Sequence, residues 1–589
     1  MSSVAPPASV FNGADWMVVA VFIAAMLAIT LYAMRTEAQS GKDYFLSGRD
    51  SNWLQIGTSI FSSNIGSEHL VGLAGAGFAS GMAMAHWEIQ SWLILVLGWV
   101  FVPLYDRIRV FTMPEYLELR FSRASRNVLG LLTIASLVLT KIAVTIYAGD
   151  VVVRTLLGID HVTLLGVDVD IFWVIALSLA FTTGLYTALG GLRVIMYTAV
   201  LQAPVLIVGS LCILYAGLSA LGSGSLIDGW HATVAAAGAK IHLIRPLTDP
   251  DWSWAAVLPG SAIIGFWYWC TDQYIVQRVL AGRNQQHARR GTILAAFLKL
   301  TPVFIFLVPG MIAFALTQAP AQHFSTSGDA AYTSLVAQIL PHGLRGMVAC
   351  SMIVALMASL ASKFNASATL FTMDFFREWY PNASPRSEVV VGRIATAAVV
   401  VLGICWVLVI KSLHSDLYVY LQSVQAYMSP AIAVLFVCGV FWKRATAPAA
   451  FCAFVIGLLG GMGRFAADLI MRHDGAAVSA LKQQLYQGVV TADQFDGAIA
   501  PIKVRHPWVF EFWNVNWLYY AQFLVVLTAA VLVVVSLATR PPDASVARYT
   551  WYGATAAEKA ATRSSWSARD VVLSAVVLCA VAVFYIAFW

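Results

Sequence analysis

The sequence predicts an all-α membrane protein with about fourteen transmembrane helices, each near the 20 residues that a hydrocarbon core about 30 Å thick requires. Of its 589 residues, 59% are hydrophobic and 11% are charged, and the mean hydropathy is +0.75. Soluble domains carry about 25% charged residues, so this chain is too apolar to fold in water.

Apolar runs of sufficient length follow one another along the whole chain. They lie near 15–34, 54–77, 82–104, 125–150, 171–189, 193–218, 253–279, 290–316, 343–374, 387–410, 415–441, 445–470, 514–538 and 568–588. No low-complexity linker or solenoid-type repeat divides them, so we predict a single transmembrane domain over 1–589. No positively charged segment precedes the first run, which favours a retained helix over a cleaved signal peptide.

The charges between the runs predict the orientation. Placing the N-terminus outside puts 23 Lys and Arg residues in inside loops and 9 in outside loops. Because inside loops carry the excess of positive charge, we predict a multi-pass protein of the plasma (cell inner) membrane with both termini outside. The net charge of +6 is spread over these loops, so no nucleic-acid partner is indicated. All seven cysteines lie in apolar runs, which favours neither disulfides nor a thiolate metal site.

The stretch 54–91 combines an apolar composition with buried polar residues. Four glycines interrupt it. Its polar side chains include Asn64, Glu68, His69, His86 and Glu88. Polar groups persist in hydrocarbon only where they face protein or a watery cavity. The stretch therefore predicts a broken helix that lines a small-molecule pathway.

Two serines on different runs are predicted to lie at similar depth. From the helical rise, Ser62 lies roughly 12 Å from the inner face and Ser359 roughly 10 Å. Two hydroxyls, together with carbonyls released by a broken helix, suit a small hard cation. The alternative is that both serines only allow close helix packing.

Further polar groups are predicted to converge in the middle and outer half of the membrane. They are Glu88, Lys299, Gln422 and His69, with the rings of Tyr268 and Trp269 nearby. Such a mixture of donors and acceptors suits a polyhydroxylated solute, whose C–H face the rings would cover. The alternatives are that Lys299 extends to the cytoplasmic surface and that His69 is an ordinary core histidine.

Other charges in the runs have structural explanations. Asp272 is expected to pair with Arg278 or Lys141, and Arg464 with Asp468, four residues later on one helix face. The sequence contains no phosphate-binding loop, nucleophile elbow or zinc-binding helix motif, so we predict that the chain is not an enzyme.

Specific segments support a family resemblance. They are GTSIFSSNIGSEHLVGLAGAGFASG (57–81), VFTMPEYLELRF (110–121), GLYTALGG (184–191), FWYWCTDQYIVQR (266–278), FLKLTP (297–302), GLRGMVACSMIVALMASLASKFNASATLFTMDFF (343–376), YLQSV (420–424) and FWKR (441–444). They resemble the sodium/solute symporter family, and most closely its sodium/glucose cotransporter branch.

The resemblance implies a LeuT-type core of two inverted five-helix repeats, at 54–218 and 253–441. Residues 1–53 would form an N-terminal helix and loop, and 445–589 the C-terminal helices. The substrate would bind at mid-membrane and reach each side by alternating access.

The resemblance also implies roles for individual residues. The substrate-binding positions would be Glu68, His69, Glu88, Ser91, Lys299, Gln422, Tyr268 and Trp269. Tyr268 would also form the inner gate, and the outer gate would consist of Leu73, Trp87 and Tyr418. Na⁺ would bind backbone oxygens of Ser62, Ile65 and Ala355 and the hydroxyl of Ser359.

Three residues depart from the family pattern. Ala358 stands where the family usually has a hydroxyl ligand, and Ala199 stands where members with a second sodium site carry an acid. Lys363 follows Ser359 by one helical turn, on the same face, where its ammonium could compete with Na⁺. The alternative is that Lys363 turns to the inner headgroups. We therefore expect at most one coupled Na⁺.

The resemblance implies inward sodium-coupled symport of a monosaccharide of the glucose or galactose type. The alternatives are a sodium-independent carrier, a proton-coupled carrier that uses Glu68 or His69, a symporter of a polyol such as inositol, and a non-transporting sugar sensor. The expected partners are a sugar, Na⁺ and the lipid bilayer, with no obligatory protein partner.

Overall fold

The computed structural model of the chain describes residues 11–36, 38–164, 166–319, 324, 326, 328–411, 417–471, 473–486 and 488–589. The helices up to residue 280 are α1 (Gly13–Met34), α2 (Gly41–Leu46), α3 (Trp53–Asn64), α4 (Ala74–Ser80), α5 (Ala85–Glu88), α6 (Ser91–Val96), α7 (Val102–Ile108), α8 (Met113–Arg120), α9 (Arg123–Ser136), α10 (Ala143–Leu157), α11 (Ile171–Leu221), α12 (Leu226–Ala237), α13 (Trp254–Cys270) and α14 (Gln273–Leu280).

The later helices are α15 (Gln285–Leu298), α16 (Val308–Thr317), α17 (Ala331–Ile339), α18 (Leu344–Leu370), α19 (Arg377–Trp379), α20 (Pro385–Lys411), α21 (Leu417–Phe441), α22 (Ala447–Met471), α23 (Gly475–Tyr486), α24 (Ala492–Arg505), α25 (Pro507–Asn514), α26 (Trp517–Ala538), α27 (Ala556–Ser564) and α28 (Ala568–Ala587). Helical turns of the π type join several of these, at Glu68–Leu73, Leu97–Phe101, Leu137–Ile142, Val303–Leu307 and Phe371–Phe376.

Within the described residues, 11 helical segments are long and apolar enough to cross a membrane. This confirms a multi-pass α-helical membrane protein, whereas the number of crossings, about fourteen, stays a prediction. Two predicted runs lie in α11, which consists of two helical parts joined by a sharp corner at Gly191 (φ 57°, ψ −153°). A side chain there would be strained and would come 2.4 Å from the carbonyl oxygen of Tyr44, so glycine is needed at this corner.

A short antiparallel hairpin was not foreseen from the sequence. Its strands β1 (His161–Leu164) and β2 (Val167–Asp170) pair with His161 opposite Asp170. Its residues are mostly exposed, between α10 and α11. Because it lies outside the apolar runs, it does not alter the membrane core.

The predicted broken helix is present. α3 ends at Asn64, Ile65 is extended (φ −75°, ψ 120°), and helical backbone resumes at Ser67, just before the π-type turn that begins at Glu68. The carbonyl oxygen of Gly66 then accepts hydrogen bonds from the backbone N–H groups of His69 and Leu70, both at 3.0 Å. The interruption thus lies at Ile65 and Gly66, inside an otherwise continuous apolar stretch.

Contacts between chain segments agree with the predicted topology. Asp15 at the start of α1 accepts hydrogen bonds at 2.7 Å from the backbone N–H groups of Gly343 and Gly346 at the start of α18. The carbonyl oxygen of Phe588, next to the C-terminus, accepts a 2.7 Å hydrogen bond from Leu243 N. The start of α1 and the residues after α28 therefore each contact a segment that was predicted to lie on the same side of the membrane, and the orientation itself stays a prediction.

The predicted ion pair on α22 is also present. Arg464 Nε lies 3.6 Å from Asp468 Oδ1. The buried guanidinium also donates to the carbonyl oxygens of Phe512, within α25, and Val515, just after α25. This arginine is therefore a structural link between α22 and the loop before α26.

Candidate functional site

The centre of the molecule holds a buried ion pair between Lys299 and Glu88. Lys299 Nζ donates to Glu88 Oε2 at 2.5 Å and to Asn64 Oδ1 at 2.9 Å. The same Glu88 oxygen lies 3.2 Å from His69 Nε2. The structure therefore brings together four side chains that the sequence placed on three different runs.

Three of these four side chains come from the end of a helical segment. Asn64 closes α3, Glu88 closes the short α5, and Lys299 directly follows α15. The last carbonyls of a helix carry partial negative charge, which stabilises an ammonium there. Lys299 is only 3% exposed, so the interpretation that it extends to the cytoplasmic surface is wrong.

A cavity of about 350 Å³, including its open side, lies beside this ion pair. Its enclosed part, about 30 Å³, is narrower than a typical small-molecule site. The lining residues are Asn64, Glu68, His69, Trp87, Glu88, Gln90, Ile264, Gly265, Tyr268, Trp269, Lys299, Gln422 and Gln425. Most of the predicted substrate positions therefore share one cavity.

Three predicted site residues lie elsewhere or cannot be placed. Ser91 is fully buried at the start of α6, and Leu73 is fully buried at the end of the π-helical turn before α4, and neither lines the cavity. The predicted gate residue Trp87 does line it and stacks on Trp517, with ring centroids 6.0 Å apart. The side chain of Tyr418 falls outside the described residues.

Polar atoms around the cavity lack partners. Among the described residues that line the cavity, five buried atoms have no hydrogen-bond partner: Gln422 Oε1, Gln425 Nε2, Trp87 Nε1, His69 Nδ1 and Glu68 Oε1. Buried polar groups are normally satisfied, so orphaned groups around one cavity indicate a ligand with several polar groups of its own. They include both donors and acceptors, as hydroxyl recognition requires.

Aromatic residues form one wall of the cavity. Asn64 Nδ2 donates to the hydroxyl of Tyr268 at 2.7 Å, and that hydroxyl is also hydrogen-bonded to Tyr274. The Lys299 ammonium lies 5.3 Å from the ring centroid of Trp269. The rings are therefore held by the same polar network that holds the ion pair.

Behind these rings lies a second buried ion pair. Lys141 Nζ donates to Asp272 Oδ2 at 2.7 Å, so Asp272 has the structural partner that the sequence suggested. The same ammonium lies 4.6 Å from the ring centroid of Tyr274 and 5.1 Å from that of Tyr268. This pair supports the wall of the cavity without lining it.

The interrupted backbone forms a second candidate site. Among the described residues, no backbone N–H donates to the carbonyl oxygens of Ser62 and Ile65, since the helix stops there. Ser62 Oγ is buried and also lacks a partner. Ser359 lies directly against this break, because a Cβ on Gly66 would come 2.6 Å from its hydroxyl oxygen. Oxygen atoms of this kind are the ligands that hard cations prefer.

The helix α18 is joined to the break by a hydrogen bond as well. Ser362 Oγ donates to Ser63 Oγ at 2.8 Å. Ala355 lies one turn before Ser359 on the same face of α18. The four predicted Na⁺ residues, Ser62, Ile65, Ala355 and Ser359, thus lie on the two segments that meet at the break.

Lys363 turns into the protein, so the interpretation that it reaches the inner headgroups is wrong. The side chain is 1% exposed. Its ammonium donates to Thr145 Oγ1 at 2.9 Å and lies 3.5 Å from Glu68 Oε1.

Two residues that line the cavity were not singled out from the sequence as ligand candidates. Asn64 was noted only as a polar residue, although its place at the end of α3 exposes its amide to the cavity. Gln425 follows Gln422 by three residues, which puts both on one helix face, so the spacing could have revealed it. Gln90 instead holds a neighbouring helix, through a 2.7 Å hydrogen bond to the carbonyl oxygen of Ser261.

Comparison with known proteins identifies the family of the chain. Residues 44–457 match the profile of the sodium:solute symporter family. The chain belongs to this family. As a sodium:solute symporter it is a membrane transporter, and Na⁺ is its coupling ion.

Individual relatives match over most of the chain. The sodium/myo-inositol cotransporter 2 of Mus musculus is 33% identical over 575 residues, which covers 93% of this chain and 80% of the relative. The sodium/glucose cotransporter 4 of Danio rerio is 32% identical over 576 residues, which covers 93% and 82%.

The fold of this symporter is also that of a solved structure. A Na⁺-coupled sialic acid symporter, in a substrate-bound outward-open state, has a TM-score of 0.70 and covers 90% of this chain and 99% of its own. Its sequence identity is 18%, so the likeness shows the fold alone. The predicted LeuT-type fold class is thereby confirmed.

Proposed function

We propose that this symporter moves a cyclic polyhydroxylated solute, a monosaccharide or an inositol, inward together with one Na⁺. The observation that carries the proposal is the set of orphaned donors and acceptors around the cavity, at Gln422, Gln425, Trp87, His69 and Glu68. The relatives named for myo-inositol and for glucose support this class of solute.

The charges of the cavity suit a neutral solute. Glu88 and Lys299 compensate each other at 2.5 Å, so a hydroxyl group can donate to the carboxylate and accept from the ammonium without leaving a buried charge unpaired. The amides of Gln422 and Gln425 supply an acceptor and a donor on the opposite side, on α21. The rings of Tyr268 and Trp269 cover an apolar C–H face of the solute.

In this proposal Na⁺ binds the carbonyl oxygens of Ser62, Ile65 and Ala355 and the hydroxyl of Ser359. The ion then holds the broken helix against α18. It can shift the outward-open and inward-open populations only by its differential affinity for the two states. Ala358 and Ala199 offer no side-chain oxygen, which supports a single coupled ion.

The remaining assignments follow the sequence. The two inverted repeats are 54–218 and 253–441, and the protein resides in the plasma (cell inner) membrane. Both termini lie outside, because positively charged loops face inward. Tyr268 forms the inner gate, with Trp87, Leu73 and Tyr418 on the outer side. Cavity and ion site lie on one chain, so transport requires no partner protein, and the cavity residues have no catalytic role.

The test is uptake into proteoliposomes that contain the purified chain. Glucose, galactose and myo-inositol are offered separately, with an inward Na⁺ gradient or with choline⁺ at the same osmolarity, and protein-free liposomes are the blank. We expect at least one solute to accumulate only with the Na⁺ gradient. Equal uptake in both solutions would contradict symport and support a sodium-independent carrier. Uptake that follows an imposed proton gradient instead would support the proton-coupled alternative.

A further inference from the structure

The ammonium of Lys363 joins α18 to the segment that follows the helix break. Glu68 Oε1, 3.5 Å away, belongs to that segment. Thr145 Oγ1, which accepts the lysine's hydrogen bond, lies on α10 and is 3.2 Å from Ser67 Oγ. Ser67 and Glu68 are the first residues after the interruption at Ile65 and Gly66. Lys363 thus contacts the far side of the break.

The hydroxyls of α18 contact the near side of the same break. Ser359 lies against Gly66, and Ser362 donates to Ser63. Ser359 and Lys363 are four residues apart, about 6 Å along the helix axis. The fixed ammonium and the proposed Na⁺ site are therefore neighbours on one face of α18.

The counter-charge of Lys363 is the carboxylate of Glu68. The other charged groups nearby, Lys141 and Asp272, form their own ion pair at 2.7 Å. Glu68 Oε1 is buried and has no hydrogen-bond donor in the described part of the chain. A buried ammonium needs a compensating charge, and an unpaired carboxylate at this depth is equally costly.

We propose that the Lys363–Glu68 pair sets the affinity for the coupling ion. The ammonium repels a Na⁺ bound at Ser62, Ile65, Ala355 and Ser359, and the carboxylate attracts it. Coulomb interactions between charges about 6 Å apart are strong in a protein interior. Losing either charge therefore changes the affinity for Na⁺ markedly. The inference rests on the proposed function, because it uses the same ion site.

The test measures the half-saturating Na⁺ concentration in purified full-length protein, from the rise of its melting temperature with NaCl against choline chloride. Lys363→Met leaves the carboxylate without a counter-charge and is expected to lower that concentration at least about tenfold. Glu68→Gln leaves the ammonium and is expected to raise it at least about tenfold. The double variant removes both charges and should stay within about threefold of the wild type.

A matched control removes another buried lysine–acid pair. Lys141→Met combined with Asp272→Asn should stay within about threefold of the wild type, because no net charge changes. Each single variant leaves one buried charge unpaired; if one of them does not fold, the other still decides, because a shift in a stated direction is expected for each variant by itself.

The outcomes separate this inference from the symport proposal. Opposite shifts in the two single variants support it. Shifts in the same direction, or below threefold in Lys363→Met, overturn it even if uptake by the wild type depends on Na⁺. If NaCl raises the melting temperature of Lys363→Met but not that of the wild type, sodium symport is overturned and the role of Lys363 is supported. If no variant responds to Na⁺, both proposals are wrong.

Discussion

Gly66 and Ser359 lie so close together that a methyl group on Gly66 would come within 2.6 Å of the Ser359 hydroxyl oxygen. Gly66 belongs to the broken helix and Ser359 to α18, so this contact joins the two segments that are proposed to hold Na⁺. Real Cβ atoms do not approach an oxygen so closely. The glycine therefore sets the width of the ion site.

Gly66→Ala should push α18 away from the break. We expect the half-saturating Na⁺ concentration for uptake to rise about tenfold or more, because one oxygen ligand of a cation is worth a charge-assisted hydrogen bond. Uptake against Na⁺ concentration measures this. Gly463→Ala on α22 is the matched control, since a Cβ there meets nothing within 4 Å. Equal Na⁺ dependence in both variants would show that the contact does not shape the ion site.

Ser359→Ala tests the hydroxyl without changing the packing. It removes one proposed ligand, so the half-saturating Na⁺ concentration should rise about tenfold, while uptake at saturating Na⁺ is largely retained. Ser351→Ala on the same helix is the control, because that hydroxyl donates at 2.7 Å to the carbonyl oxygen of Val348 and lies two turns away. Unchanged Na⁺ dependence in Ser359→Ala would place the ion elsewhere.

Glu88→Gln tests the central ion pair. It leaves Lys299 buried without its counter-charge, which should cost about 3–5 kcal/mol of stability. Solute affinity should fall about 100-fold, because the carboxylate that accepts a hydrogen bond from a solute hydroxyl is lost. The melting temperature and equilibrium binding of labelled solute measure the two effects.

A double variant separates the two roles of this pair. Glu88→Gln with Lys299→Met removes both charges, so most of the lost stability should return while solute binding remains weak. Recovery of binding in the double variant would mean that the pair is structural and does not contact the solute.

Gln422→Ala removes an orphaned acceptor from the cavity. Solute affinity should fall about tenfold with little loss of stability, because Gln422 Oε1 has no partner among the described residues. A deoxy analogue lacking the hydroxyl that this amide binds should lose affinity in the wild type but not in Gln422→Ala. Gln202→Ala, a buried glutamine of α11 outside the cavity lining, should leave affinity unchanged.

Much of this architecture was readable from the sequence, and the reason is the bilayer. Glu88, Lys299 and His69 stand out because a polar group in an apolar run needs a partner or a cavity. The break near Gly66 was predictable for the same reason, since glycine and polar residues weaken a helix locally. The side chains that lie together in the structure are the same ones that the sequence singled out.

The direction of a long side chain was not readable in this way. The lysines at 299 and 363 could both have reached the membrane surface by length alone. Their actual partners, Glu88 and Glu68, lie on other helices, and only the packing of those helices brings them within 2.5 and 3.5 Å. The hairpin of β1 and β2 escaped prediction because it lies between apolar runs, where hydropathy carries no signal.

The buried pair of Lys141 and Asp272 provides the last prediction. Both side chains are 1% exposed, and the lysine also faces the ring of Tyr268 in the cavity wall. Lys141→Met should cost about 3–5 kcal/mol of stability because Asp272 is left unpaired.

Adding Asp272→Asn to Lys141→Met should restore most of that stability, since no uncompensated charge remains. Solute affinity should stay a few-fold low in both variants, because the ring of Tyr268 has lost its cation, an interaction worth about 0.5–2 kcal/mol. Arg283→Met, which breaks an exposed pair with Asp50 at 2.9 Å, should cost about 1 kcal/mol or less. Thermal unfolding and solute binding measured on all three variants check these expectations. If the double variant is as unstable as Lys141→Met, the lysine stabilises the fold through its ring contacts rather than through its charge pair.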